Sequence, residues 1–189
     1  RDLEQTQLVF GVEGLKNIDI NRFSLRALSI ILGGGMSSRL FQEIREKKGL
    51  CYSIFSFTQM QNSSGVFGFY AGTSPKDVDY LLESSLTELK KIKNFISTEE
   101  LNRAKAQMKS SFIMGHESNS SRSEYFAKNM INFGKIIGAD EIIESIEKIS
   151  INSIYDLCDK LLTSANPVLS VIGPDANSLK KLEISKILN

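Results

Sequence analysis

Residues 33–53, GGGMSSRLFQEIREKKGLCYS, hold the reading of this chain together. Just upstream, Phe23, Leu25, Leu28, Ile31 and Leu32 recur at three- and four-residue spacings, which predicts an apolar helix over 21–32. The three glycines stop it, because helix C-termini favour a residue without Cβ. Leu40, Phe41 and Ile44 then share one side of a short second helix over 37–48, closed by Gly49. At Leu50 the period changes. Tyr52, Ile54, Phe55 and Phe57 read as a strand through 61. Asn62-Ser63-Ser64-Gly65 is a turn cluster, and residues 66–73 (VFGFYAGT) return as the second arm of a hairpin.

The pattern extends outward from there. Residues 5–13 (QTQLVFGVE) form an earlier β-prone run. Pro75 sits at a helix start, and Val78, Leu81, Leu82, Leu86, Leu89 and Ile92 follow at helical period. Ser97-Thr98-Glu99-Glu100 is a capping box opening a helix through Leu101, Ala104, Met108 and Phe112. Amphipathic stretches cover 121–133, 139–149 and 153–162, and residues 167–173 (PVLSVIG) are a buried-strand candidate before a polar, Lys-rich tail. A hairpin plus a block of helices predicts an α+β fold: an antiparallel-rich sheet with helices packed on one face, as one domain over 1–189.

Composition narrows the function. A chain of 189 residues and 21.1 kDa buries roughly 70% of its unfolded surface and needs no disulfide or metal to fold. Its 41% hydrophobic and 24% charged residues are an ordinary globular mix. With 23 basic and 22 acidic residues the net charge is +1, which argues against a nucleic-acid partner. No apolar run approaches the ~20 residues of a membrane span. Cys51 and Cys158 are too distant for metal-ligand spacing and too few for a disulfide scaffold. The single histidine, His116, excludes a zinc site of two or three imidazoles within the chain. Arg1-Asp2-Leu3-Glu4 has no initiator Met and no signal-peptide character, so the chain reads as a fragment of something larger.

Each chemical feature, alone, has a plain reading. The glycine run is not a phosphate loop, since a helix precedes it and no Gly-Lys-Ser/Thr follows. His116 beside Ser118, Ser120 and Ser121 lacks a nucleophile elbow and reads as a solvated or satisfied histidine between helices. Cys51 reads as a small buried residue. Arg45-Glu46-Lys47-Lys48 reads as a solvated helix end, and Tyr52 as a half-buried strand aromatic.

Together they are distinctive. Residues 33–53 closely resemble the signature of the C-terminal half of insulinase/pitrilysin-family zinc metallopeptidases, in the bacterial branch related to mitochondrial processing peptidase. The likeness continues through the hairpin, Gly72-Thr73-Ser74-Pro75, the Ser97-Thr98-Glu99-Glu100-Leu101 helix start, Glu117-Ser118 and the late PVLSVIGP segment.

The resemblance implies two similar α+β halves enclosing a peptide-binding chamber, with the zinc held by an inverted His-x-x-Glu-His motif on the N-terminal half. This chain lacks that motif and resembles the metal-free half: no metal ligand or cofactor of its own, with zinc in the intact enzyme. In active members this half supplies an Arg and a Tyr, and Arg45 and Tyr52 match that pair. A Tyr hydroxyl can donate to a developing oxyanion, and a guanidinium can hold substrate carbonyls. Gly34 and Gly35 gain a role as backbone lining the substrate chamber. The expected partners are the N-terminal half of the same protein, a peptide or presequence substrate, and a second copy of the chain. The implied function is zinc-dependent endopeptidase cleavage, inactive in this half alone. The alternative is a non-catalytic member, of the regulatory-subunit or respiratory-complex core type. The compartment stays open between bacterial cytoplasm, which is expected, and periplasm.

Overall fold

A computed structural model describes residues 3–163 and 166–174. Four strands form one antiparallel sheet in the order β2-β3-β1-β4: β1 Thr6–Glu13, β2 Cys51–Met60, β3 Gly65–Thr73 and β4 Val168–Ile172. The helices are α1 Arg22–Gly33, α2 Val78–Asn94, α3 Thr98–Gly115, α4 Asn119–Phe133, α5 Ala139–Glu147 and α6 Ile151–Thr163. The fold is α+β, as the hairpin followed by a helical block predicts.

β1 alternates buried and accessible residues along its length, as a strand with one covered face must. Its inward side chains Leu8, Phe10 and Val12 meet Phe67, Phe69 and Ala71 of β3 in the core. Phe10 and Phe69 are register partners whose rings stack 5.1 Å apart. Leu25, Leu28 and Leu32 of α1, Leu81, Leu86 and Leu89 of α2, and Ile154, Leu157 and Cys158 of α6 complete it. The capping box is present: the Ser97 hydroxyl accepts from the Glu100 amide at 3.1 Å, and the Ser97 amide donates to Glu100 Oε2 at 2.9 Å.

Three expectations need correction. The 37–48 segment is not a regular α-helix, because Phe41–Lys47 is wound as a π-helix. This wider turn keeps Leu40 and Ile44 both fully buried. The 167–173 strand is not buried. Among the described residues it pairs with β1 alone, at the sheet edge, leaving Val168 and Ile172 accessible. A helix would begin at Pro75, but Pro75–Asp77 is a 3₁₀ turn and α2 starts at Val78. The Lys-rich tail lies outside the described residues.

The outer face of the sheet carries no helix among the described elements. Val9, Phe55 and Tyr70 meet there, with Phe55 and Tyr70 rings 4.9 Å apart, beside Val168 and Ile172.

Candidate active-site half

Two backbone irregularities bracket the Arg45–Tyr52 pair. Arg45 belongs to the π-helical turn. Tyr52 is the extra residue of a β-bulge: Cys51 pairs with Thr73 and Ser53 with Gly72, so Tyr52 has no partner on β3. A bulge re-aims a side chain and tends to occur beside functional sites. Tyr52 is 78% exposed, and its hydroxyl has no hydrogen-bond partner among the described residues. Between the two residues Gly49 takes φ 62°, a left-handed conformation that suits glycine and reverses the chain from helix to strand. The Thr73 hydroxyl donates to the Leu50 carbonyl at 2.5 Å, fixing that reversal to the neighbouring strand.

The guanidinium of Arg45 lies 4.6 Å from the Phe41 ring centroid and 5.7 Å from that of Tyr52. Its Glu46 contact is long, at 3.9 Å. Arg45 is therefore oriented by aromatic faces while its N–H groups stay available. The rest of the basic run is exposed, as a solvated helix end should be, with two surface contacts. Lys47 pairs with Glu43 at 2.6 Å, and Lys48 donates to Ser84 Oγ at 2.7 Å beneath the Tyr80 ring.

The glycine run acts first as structure. The Gly34 amide donates to the Ile30 carbonyl at 3.0 Å, closing α1. A Cβ on Gly33 would stand 2.4 Å from the Ser56 backbone nitrogen, so α1 can approach β2 only with glycine there. Gly34 and Gly35 also line a 440 Å³ cavity with Phe41, Ile54 and Phe55 along the outer edge of β2. Arg45 and Tyr52 do not line that cavity; Phe41, stacked on Arg45, joins the two.

Cys51 is half-buried, and burial pushes its thiol up to about 11 against the pull of Arg45, so it is a poor nucleophile. Cys158 is raised to about 12 by burial. His116 is satisfied on one side only: its Nδ1 lies 2.6 Å from the Phe112 carbonyl, while Nε2 is buried without a partner. No carboxylate or thiolate set gathers around it, and among the described residues no group of three His, Cys, Asp or Glu can hold a metal ion. Arg39 is a residue that the motif contains but the sequence reading passed over. Its guanidinium binds Glu100 at 2.6 and 2.9 Å and the Phe95 carbonyl at 2.8 Å, tying the segment just before the π-turn to the start of α3. Burial alone would raise Glu100, but the bonds from Arg39 and Ser97 prevail and hold its carboxyl below the usual range.

Comparison with known proteins places the chain in a family. The sequence profile of the "Peptidase M16 inactive domain" matches residues 1–108. This chain belongs to the M16 peptidase family. It is similar to an uncharacterized zinc protease of Rickettsia felis, at 40% identity over 93% of this chain and 42% of that protein. One from Bacillus subtilis is 34% identical over 94% of the chain and 43% of the relative. Among solved structures, complex III2 from Candida albicans with Inz-5 bound matches with a TM-score of 0.87, at 20% identity over 100% of this chain and 48% of that one. A Helicobacter pylori protease matches with a TM-score of 0.83, at 24% identity over 91% and 42%. Both likenesses are of fold. The chain spans about two fifths of the length of the curated relatives. It is an M16 C-terminal domain of the inactive type, from a family of zinc proteases. No helix among the described residues is long and apolar enough to cross a membrane.

Proposed function

We propose that residues 1–189 are the metal-free half of a zinc endopeptidase that cleaves peptides or presequences. Tyr52 and Arg45 would serve a zinc site held on the N-terminal half. The metal, when bound there, supplies Lewis-acid chemistry at the scissile carbonyl. This chain contributes hydrogen bonding. The Tyr52 hydroxyl donates to the carbonyl oxygen as negative charge develops, and the Arg45 fork holds neighbouring peptide carbonyls. Gly34 and Gly35 present backbone to the substrate along β2. The observation that carries this reading is the bulge at Tyr52, which exposes a phenol that a regular strand would place in the alternation. A structural subunit of this fold has no need of such a residue, which favours the peptidase over the non-catalytic alternative.

The test uses the full-length protein and an internally quenched peptide. Hydrolysis is expected to stop with chelator and return with zinc. The Tyr52→Phe variant is expected to lower kcat by ~10²–10³, the size of one lost oxyanion donor. Chelator-resistant hydrolysis, or unchanged turnover in Tyr52→Phe, overturns the reading.

A further inference from the structure

Away from Tyr52, on the helical side of the sheet, Arg22 and Arg26 stand one turn apart on α1 and open on a two-lobed cleft. One lobe, of 730 Å³, runs past Ser29, Ser56 and Thr58 towards Met108. The other, of 500 Å³, runs past Arg22, Tyr125, Asn129 and Asn132 of the α4 side. Arg26, Phe23, Met60, Phe112 and Ile142 are common to both. Met60 lies eight positions beyond Tyr52 along β2, about 26 Å at ~3.3 Å per residue.

Among the described residues neither guanidinium has an ion-pair partner. Arg26 makes no hydrogen bond or ion pair among the described residues and rests 6.0 Å from the Phe23 ring centroid. It is solvent-exposed, although protein atoms crowd its guanidinium. Burial and then the charge of Arg22 lower its pKa, against the pull of Tyr125. Arg22 stacks between Phe23 and Phe133, at 4.5 and 5.3 Å, and among the described residues donates only to the Asp19 carbonyl at 3.3 Å. Asp19 and Glu141 pull on Arg22 through space without forming an ion pair with it: Asp19 accepts from the Asn21 amide and Glu141 pairs with Lys135 at 3.3 Å, while Lys128 pairs with Glu124 at 2.5 Å. Two like charges a turn apart repel, and a shared anion relieves both.

A planar fork binds a carboxylate through two parallel bonds. The aromatic and thioether wall suits an apolar side chain, and the lining hydroxyls and amides suit peptide groups, which an aliphatic tail would leave unused. We propose that this cleft binds the free C-terminal carboxylate of a peptide ending in an apolar residue, with Arg26 as its principal partner and Arg22 as the second. The site is independent of Tyr52 and Arg45.

Calorimetric titration of the full-length protein in chelating buffer tests this with a Leu-ended hexapeptide as free acid, the same peptide as amide, and decanoate. The acid is expected to bind at least tenfold more tightly than the amide. Arg26→Gln should erase that preference, Arg22→Gln should reduce it at least threefold, and Tyr52→Phe should leave it intact. Equal binding of acid and amide by the native protein overturns the proposal. So does an undiminished preference in Arg26→Gln, or in Arg22→Gln should the first variant not fold. Decanoate binding as tightly as the acid overturns the peptide as ligand.

Discussion

Arg45 is held by flat surfaces, and that sets what can replace it. Lysine keeps the charge but loses the planar stack on Phe41 and the fixed fork of donors. Arg45→Lys in the full-length enzyme is expected to lower kcat/KM at least tenfold while Tm stays within about 2 °C, read by steady-state kinetics and thermal melting. Glu100 belongs to stability. Its carboxyl is held below its unfolded value, near ~4.3, so its contribution is complete above that pH and is lost as pH falls through the lower, folded value. Glu100→Gln is expected to cost about 1.5–3 kcal/mol at neutral pH, the range for hydrogen bonds to a charged group. It should also flatten the acid arm of the Tm-against-pH profile; an unchanged acid arm would show that Glu100 does not titrate with unfolding.

At the scale of elements, the seam between α1 and β2 is the tightest joint near the site. Ser29 and Ser56 exchange bonds across it, hydroxyl to hydroxyl at 2.9 Å and Ser56 Oγ to the Ser29 carbonyl at 2.5 Å. A methyl on Gly33 meets backbone there, not a side chain that can swing away. Gly33→Ala is therefore expected to destabilise by about 1–3 kcal/mol, the usual cost of overpacking, measured by urea denaturation. Most elements were legible from period and punctuation. The alternation of Leu8, Phe10 and Val12, the Asn62–Gly65 turn and the Ser97 capping box each encode local geometry that the structure keeps. The departures come from information that local pattern does not hold. A π-turn differs from an α-turn by one residue per winding, and Phe41 and Ile44 satisfy either period. The bulge at Tyr52 depends on where β3 places Thr73 and Gly72. The exposure of Val168 depends on which strand lies at the edge. Arg39 was invisible as a tie because its partner Glu100 is remote in sequence and became adjacent only through the fold.

At the scale of the whole molecule, the outer sheet face is left uncovered by the described residues. Val9, Phe55, Val168 and Ile172 form an apolar surface of the kind soluble monomers rarely leave open. The isolated chain is expected to self-associate as concentration rises, and Phe55→Glu to reduce that association, by analytical ultracentrifugation. A monomer at all concentrations would mean the face is tolerated bare. The sheet order also has a consequence for synthesis. β1 is central, between β3 and β4, and the hydroxyl of Thr6 bonds the carbonyl of Pro174 at 3.1 Å. On the ribosome, β1 emerges before the other three strands of the sheet and waits for β4. At ~5–20 residues per second that wait is roughly 8–30 s. Throughout it Leu8, Phe10 and Val12 sit on a strand with one edge unpaired. The segment most enclosed in the finished protein is thus the one longest exposed to wrong partners while the chain is being made.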